Sequence, residues 1–146
     1  MNYIKEAYKQ ACIAYKKDEV PVGAIIVKDG KIIARAHNNK ENRNDPTGHA
    51  EIVCIRKASK KLNDWYLKDC EMYVTLEPCS MCAGAIIQAR IKKVYYGVSD
   101  KRSGALGGLY NLMAQKGFNH YVEFECLNEE MCGKLLKDFF KNKRNK

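Results

Sequence analysis

One histidine, one glutamate and two cysteines have the types and the spacing of a hydrolytic metal site. His49 and Glu51 are separated by one residue, and Cys79 and Cys82 by two, directly after Pro78. Imidazole nitrogen and thiolate sulfur are ligands that Zn²⁺ prefers. Three such ligands leave the fourth tetrahedral position for water, which is typical of a catalytic zinc and not of a structural one. The pattern therefore predicts His49, Cys79 and Cys82 as ligands of one Zn²⁺ per subunit.

Glu51 is suited to carry protons at such a site. Zinc lowers the pKa of its bound water to about 7 and so supplies a nucleophile near neutrality. A carboxylate two residues after a ligand, and not needed as a ligand itself, is placed to accept a proton and to deliver it to the substrate. We predict Glu51 as the catalytic acid–base. Each part of the pattern is weak alone, since Cys-x-x-Cys also occurs in redox and structural zinc sites.

The predicted elements bring the two halves of this site together. Hydrophobic periodicity and turn residues predict the order α-β-β-α-β-α-β-(α)-β-α. The second helix is predicted over residues 49–61 and the third over residues 79–89, so each starts at a candidate ligand. Helices that follow successive strands start at the same edge of an α/β sheet, where ligands bind.

The same pattern predicts one three-layer α/β/α domain over residues 1–146, with a five-stranded mixed sheet. Alternation of strands and helices favours a mostly parallel sheet with helices on both faces. An antiparallel hairpin at Asp29-Gly30 begins it. Residues 38–48 are predicted as a loop and residues 109–114 as a short helix, and Asn128 is predicted to cap the last helix.

Composition and charge restrict the class of protein. The chain has 146 residues, 46% of them hydrophobic, and a net charge of +9 from 26 basic and 17 acidic residues. Hydrophobic content argues against disorder, and no apolar run approaches the roughly 18 residues that indicate a membrane span. Net basic charge suggests a polyanionic partner. Part of it lies in a basic C-terminal tail, residues 141–146, which could equally be a solvated end.

The N-terminus and the cysteines indicate a compartment. The first ten residues contain lysines and no continuous apolar stretch, unlike a secretory signal, so we expect a cytoplasmic protein without a membrane anchor. Seven cysteines are an odd number, and the cytoplasm is reducing. A disulfide framework is therefore not expected, and most cysteines should be small buried residues.

His49-Ala50-Glu51 with Pro78-Cys79-Ser80-Met81-Cys82 resembles the signature of the zinc-dependent nucleoside deaminases. Further stretches are similar to the bacterial tRNA adenosine deaminase family, from about residue 3 to residue 144. They are Glu19-Val20-Pro21-Val22-Gly23-Ala24, Asp45-Pro46-Thr47, residues 73–79, Met81-Cys82-Ala83-Gly84-Ala85, Arg90-Ile91 and Gly117-Phe118-Asn119-His120. Two departures are Gly48, where family members often have Ala, and Val98-Ser99, where Ala-Arg is common.

The resemblance implies a cytidine deaminase-like fold and the deamination of adenosine to inosine at the wobble position of a tRNA anticodon stem-loop, in a homodimer. It implies that Asn38 contacts the base, that Val22 and Leu76 form the pocket wall, and that Asp100 and Lys101 lie on a loop along the anticodon. It also implies that the final helix contributes to RNA binding. A loop-capping Asn38, ordinary core positions for Val22 and Leu76, and a solvated turn at Asp100 remain alternatives.

Two other functions are compatible with the sequence. A deaminase of a free base, guanine or cytosine, would use the same metal chemistry and would not need a basic surface. A non-catalytic, zinc-stabilised RNA-binding module would need the metal ligands but not Glu51, so the presence of this carboxylate argues against it.

Overall fold

The computed structural model describes residues 1–144. These residues form a five-stranded mixed sheet with five α-helices and a short 3₁₀ turn, which confirms the predicted fold class. In chain order the elements are α1 (Tyr3–Lys16), β1 (Gly23–Lys28), β2 (Lys31–His37), α2 (Lys40–Arg43), α3 (Ala50–Leu62), β3 (Cys70–Leu76), α4 (Ser80–Ala89), β4 (Lys93–Val98), the 3₁₀ turn (Leu112–Ala114), β5 (Glu123–Cys126) and α5 (Glu130–Arg144).

The strand order is β2-β1-β3-β4-β5. Strand β1 pairs antiparallel with both β2 and β3, whereas β3, β4 and β5 are parallel to one another. The sheet is therefore less parallel than the alternation of strands and helices suggested. The reason is that β1 lies between its hairpin partner β2 and β3, the first strand of the parallel half, and is antiparallel to both.

Helices cover both faces of the sheet, because successive side chains of a strand point to opposite faces. On one face Gly23 lies against α1 so closely that a Cβ there would collide with the Ala7 carbonyl oxygen and the Ala11 amide nitrogen. On the other face Ala24 and Ile26 share a core cluster with Cys54 of α3 and with residues of α4. Helix α5 packs against β4 and α1, on the first face.

One edge of this sheet gathers the segments that carry the candidate site. Strand β1 begins and β2 ends there, since Gly23 pairs with His37. Strands β3 and β4 run parallel and end at the same edge, where Leu76 pairs with Val98. The antiparallel hairpin and the parallel half thus deliver residues 20–22, 38–48, 77–79 and 99–108 to one place.

Three local predictions differ from the structure. The predicted loop over residues 38–48 contains the short helix α2, and the predicted short helix over residues 109–114 is only a 3₁₀ turn from Leu112. Asn128 has a left-handed backbone with φ of 54° and does not cap α5, which begins at Glu130. The amides of Leu127 and Glu129 still bond to the carbonyls of Tyr96 and Gly97, so Asn128 is the turn residue between them.

None of the helices in residues 1–144 combines the length and the apolar character needed to cross a bilayer.

Candidate active site

The two candidate metal-binding segments each place a ligand at the start of a helix. His49 is the residue before α3 and Cys79 the residue before α4, and both have extended backbones. Neither side chain caps its own helix, so both are free to turn toward a shared metal ion. Cys82, in the first turn of α4, is buried beside them. The ligand atoms of His49, Cys79 and Cys82 all lie within 4.8 Å of one another.

The spacing of these atoms fits a zinc ion. His49 Nδ1 lies 3.6 Å from Cys79 Sγ and 3.5 Å from Cys82 Sγ. With Zn–S bonds of about 2.3 Å and Zn–N bonds of about 2.0–2.1 Å, a tetrahedral centre separates nitrogen and sulfur ligands by about 3.6 Å. The donor set and its spacing therefore fit a metal ion with three protein ligands.

The two thiols are hydrogen-bonded to each other, and this contact shifts their pKa values in opposite directions. A hydrogen bond from Cys82 lowers the pKa of Cys79 to about 4, and a further hydrogen bond to His49 acts in the same direction. The same partnership with Cys79, together with burial, raises the pKa of Cys82 above its ordinary value. The pair thus has one thiolate ready as a ligand, and a bound dication would favour the second by direct attraction.

Glu51 lies in the first turn of α3 and is only 4% exposed. Burial raises the pKa of this carboxyl group to about 7, and the Cys79 thiolate acts in the same direction, while a backbone hydrogen bond opposes it. The shift has this sign because a buried site disfavours the charged form of a carboxyl group. A buried carboxyl group that is poised to exchange a proton is typical of a general acid–base.

A cavity of about 200 Å³ opens onto these residues. Four of the residues that the resemblance assigned to the substrate line it together with His49, Glu51 and Cys79: Val22, Asn38, Leu76 and Asp100. Lys101 is exposed on the same loop and is not among the lining residues. The sheet edge therefore brings the candidate metal ligands and four of the candidate substrate residues around one small cavity.

Asn38 and Asp100 also hold their own loops. The Asn38 amide donates to the Val20 carbonyl oxygen at 3.2 Å and accepts from the Lys40 amide at 3.2 Å. Asp100 accepts from the Arg102 amide at 2.9 Å and from the Ser103 amide at 3.3 Å. Asn38 and Asp100 therefore do both: each lines the cavity and each forms hydrogen bonds within its own loop.

Two buried carboxylates, which sequence reasoning did not single out, anchor the loops that border the cavity. Glu77 is 2% exposed and accepts from Ser99 Oγ and from the amides of Asp100, Leu106 and Gly108, all within 2.9 Å. Glu19 is fully buried and accepts from the amides of Glu41 and Asn42, at 3.0 and 2.7 Å. The signal that could have identified Glu77 is its position directly before Pro78-Cys79.

The other two histidines, the remaining cysteines and the C-terminal end have structural contacts. His37 and His120 each have a ring nitrogen beside a backbone carbonyl oxygen, at 2.9 and 2.7 Å. All seven cysteines are free, and four of them, including Cys54 and Cys82, are buried. Helix α5 continues through residues 141–144 of the predicted tail, where Lys143 lies 2.7 Å from Asp18. Asn145 and Lys146 lie outside the described residues.

Comparison with known proteins identifies the family. The MafB19-like deaminase family matches residues 1–144. The tRNA-specific adenosine deaminase of Aquifex aeolicus is 46% identical over 143 residues, which are 98% of this chain and 95% of that protein. A solved tRNA:A34 deaminase has a TM-score of 0.86 at 39% identity, covering 92% of this chain and 98% of the other.

A guanine deaminase from Bacillus subtilis is more distant in structure, with a TM-score of 0.67 at 36% identity, covering 100% of this chain and 96% of the other. The relatives with tRNA activity match at higher identity or with a better superposition. This chain belongs to the family of tRNA-specific adenosine deaminases.

Proposed function

We propose that this protein hydrolytically deaminates adenosine to inosine at the wobble position of tRNA anticodons. The observation that carries the proposal is the buried Glu51 beside a His/Cys/Cys cluster with zinc-ligand spacing, in a chain 46% identical to a tRNA-specific adenosine deaminase. The reaction consumes one water molecule and releases ammonia, and the exocyclic amino group at C6 is replaced by oxygen.

His49, Cys79 and Cys82 would hold the zinc ion, and Glu51 would move the protons. When bound, zinc supplies a water molecule activated for attack on C6 of the base. Glu51 accepts the proton that this water loses and delivers it to N1. It then takes up the proton of the hydroxyl group that has been added to C6 and transfers it to the departing amino group, which leaves as ammonia while the C6 oxygen becomes a carbonyl. A buried carboxyl group with a pKa raised toward neutrality can both accept and donate in one cycle.

The cavity beside Glu51 would receive the base after it leaves the anticodon stack. Val22 and Leu76 would contact its faces, and the Asn38 amide would contact its polar edge. Asp100 and Lys101, on the loop held by Glu77, would lie near the backbone of the anticodon. Because the base must be taken out of the stack to reach this cavity, we expect an anticodon loop to be a far better substrate than duplex RNA.

The direct test is an inosine assay on a synthetic anticodon stem-loop with a wobble adenosine, using zinc-loaded protein. We expect conversion by the unaltered chain and conversion about 10²–10⁴-fold slower by Glu51→Gln. The same stem-loop with the adenosine moved to another loop position serves as the substrate control. Absence of inosine with fully zinc-loaded protein would refute the proposed function.

Deamination of free guanine is the second candidate, because a guanine deaminase matches the whole chain at 36% identity. Incubation of the same preparation with guanine and cytosine separates the two activities. Turnover of a free base without turnover of the stem-loop would replace the proposed function. Stem-loop binding without any deamination would instead support the RNA-binding module.

We further propose that the active protein is a cytoplasmic homodimer, each subunit being a single catalytic domain over residues 1–146 with one zinc ion. A subunit of 16.7 kDa offers a limited surface for gripping a stem-loop. Light scattering coupled to size exclusion should give twice the mass of one chain. A mass equal to one chain in an active sample would refute the homodimer.

A further inference from the structure

A second cavity, of about 400 Å³, lies beside the first and has a different chemistry. Nine residues line it, from the end of α1, from the end of β2, from the segment that contains α2, and from α3: Lys17, His37, Asn39, Asn42, Arg43, Asp45, Val53, Arg56 and Lys57. None of the metal ligands is among them. We call it the basic cavity.

The charge of the basic cavity is not neutralised by its own residues. Four cations, Lys17, Arg43, Arg56 and Lys57, face one carboxylate, Asp45, so the lining carries +3 with His37 neutral. Asp45 is already engaged, since it accepts from the Thr47 amide at 2.9 Å and the Thr47 hydroxyl at 2.7 Å. Arg56 lies 3.9 Å from Asp45, which is a loose pair. Cations that converge on a concave surface attract anions strongly.

Backbone geometry ties the basic cavity to the candidate active site. His37 and Asn39 line the basic cavity, whereas Asn38, between them, lines the cavity that contains Glu51. Helix α3 connects the two as well, because His49 and Glu51 stand at its start and Arg56 and Lys57 about two turns later. At a rise of 1.5 Å per residue, His49 and Arg56 are about 10 Å apart along the helix axis. The cations of the basic cavity are therefore within reach of a nucleic-acid strand that has one base beside Glu51.

We propose that the basic cavity binds backbone phosphate of the RNA strand that delivers its base to the active site. Arginine and lysine at four points around a cavity match the oxygens of a phosphodiester group. The inference rests on the proposed function in taking RNA as the substrate. It adds a phosphate-binding site on α2 and α3, separate from the loop of Asp100 and from the C-terminal end.

The test compares two double variants on the same helix. R56Q/K57Q removes two exposed cations that line the basic cavity, and K60Q/K61Q removes two exposed cations from the last turn of α3. Affinity is measured over a range of salt concentrations for a stem-loop that already contains inosine, so that binding does not depend on turnover. Thermal unfolding of each variant shows whether it is folded. R43Q, on α2, provides an independent variant of the cavity.

For R56Q/K57Q we expect about fivefold weaker binding at 0.1 M salt and a salt slope smaller by about 0.7, since one phosphate contact to a single strand contributes about 0.7 to the slope. R43Q should lower the slope by about half as much, and K60Q/K61Q should change it little. Turnover at saturating RNA should be unchanged in K60Q/K61Q, whose lysines do not line the basic cavity. Equal losses of affinity in R56Q/K57Q and K60Q/K61Q would overturn the proposal, because they would show an effect of net charge only.

The stabilisation of the protein by inorganic phosphate or adenosine monophosphate tests whether the basic cavity binds a free anion instead of an RNA phosphate. Suppose that phosphate stabilises the unaltered protein but not R56Q/K57Q, and that both bind the stem-loop with equal affinity. The basic cavity would then be a small-anion site, and the RNA assignment would be overturned. Failure of the proposed function is distinguishable from this. Suppose that the protein binds the inosine stem-loop through Arg56 and Lys57 but does not react with wobble adenosine. This result would support phosphate binding in the basic cavity and refute the proposed deaminase function.

Discussion

The candidate metal centre depends on two residues that lie just before a helix and whose side chains do not cap it. His49 and Cys79 both precede the first residue of a helix, with extended backbones and no capping bond of their own. Capping side chains are normally held by the amides of the first turn. Here they can reach a metal ion instead, and the third candidate ligand, Cys82, lies about one turn further along α4.

Cys82 and Cys54 provide a matched pair for testing the metal site. Both thiols are buried, but Cys54 belongs to the hydrophobic core, where its thiol donates to the Ala34 carbonyl oxygen at 3.7 Å. We expect Cys82→Ala to reduce bound zinc from about one ion per chain to almost none. Cys54→Ala should keep the zinc and reduce the free energy of unfolding by only about 1 kcal/mol, because it removes one sulfur atom. Measurement of zinc by elemental analysis after dialysis checks both, and equal zinc content in the two variants would contradict the ligand assignment.

Glu51 should affect chemistry without affecting metal content. Removal of a positioned general acid–base typically lowers turnover about 10²–10⁴-fold. We expect Glu51→Gln to show this decrease in single-turnover assays while zinc content and stem-loop affinity remain. Glu123→Gln, at an exposed carboxylate on β5, is the control and should be fully active. A fully active Glu51→Gln would exclude the assigned role.

At the scale of elements, Glu77 links the metal-binding segment to the loop over residues 99–108. Its two oxygens accept from Ser99, Asp100, Leu106 and Gly108, and the close approach leaves no space for a side chain at Gly104 or Gly108. Residue 77 directly precedes Pro78 and Cys79, so one short segment carries both the anchor of this loop and a candidate metal ligand.

Glu77→Gln should loosen this loop. A side-chain amide has one oxygen instead of two, and its NH₂ group fits best beside the Ser99 hydroxyl, which can accept from it. The Asp100 amide then has no acceptor, at a cost of about 1–3 kcal/mol. We expect a lower midpoint in urea and faster hydrogen exchange over residues 99–108. Glu71→Gln, whose carboxylate accepts a long hydrogen bond from the Tyr95 hydroxyl at 3.4 Å, is the control. Unchanged exchange in this loop would show that Glu77 does not hold it.

The elements and the metal cluster were predictable because both depend on local spacing. Periodicity located the helices within a few residues, and the crossover rule brought His49 and Cys79 to one edge. The place of β1 between β2 and β3 was not predictable in this way, since pairing across the sheet is not a local property. Helix α2 was missed because the buried Glu19, more than twenty residues away, satisfies its first amides.

At the scale of the whole molecule, the net charge of +9 is distributed over distinct surfaces. The basic cavity carries part of it. Another part lies at the end of α5, whose side chains contact the rest of the protein. There Lys143 pairs with Asp18 at 2.7 Å, and the Asn142 amide donates to the Tyr15 hydroxyl at 2.7 Å. The C-terminal end is therefore docked on α1 through residue 143.

Truncation after Phe140 tests whether this end holds RNA. It removes four cations, Lys141, Lys143, Arg144 and Lys146. We expect weaker stem-loop binding, with a salt slope smaller by about 0.7 for each phosphate group that the truncated chain no longer binds. The free energy of unfolding should fall by no more than about 1 kcal/mol, because the contacts with α1 are exposed. Lys143→Gln separates the two roles: this lysine is held by Asp18, so we expect its removal to leave the salt slope nearly unchanged. A truncated chain with an unaltered salt slope would show that the basic end is merely solvated, and that phosphate binding belongs to other surfaces of the molecule.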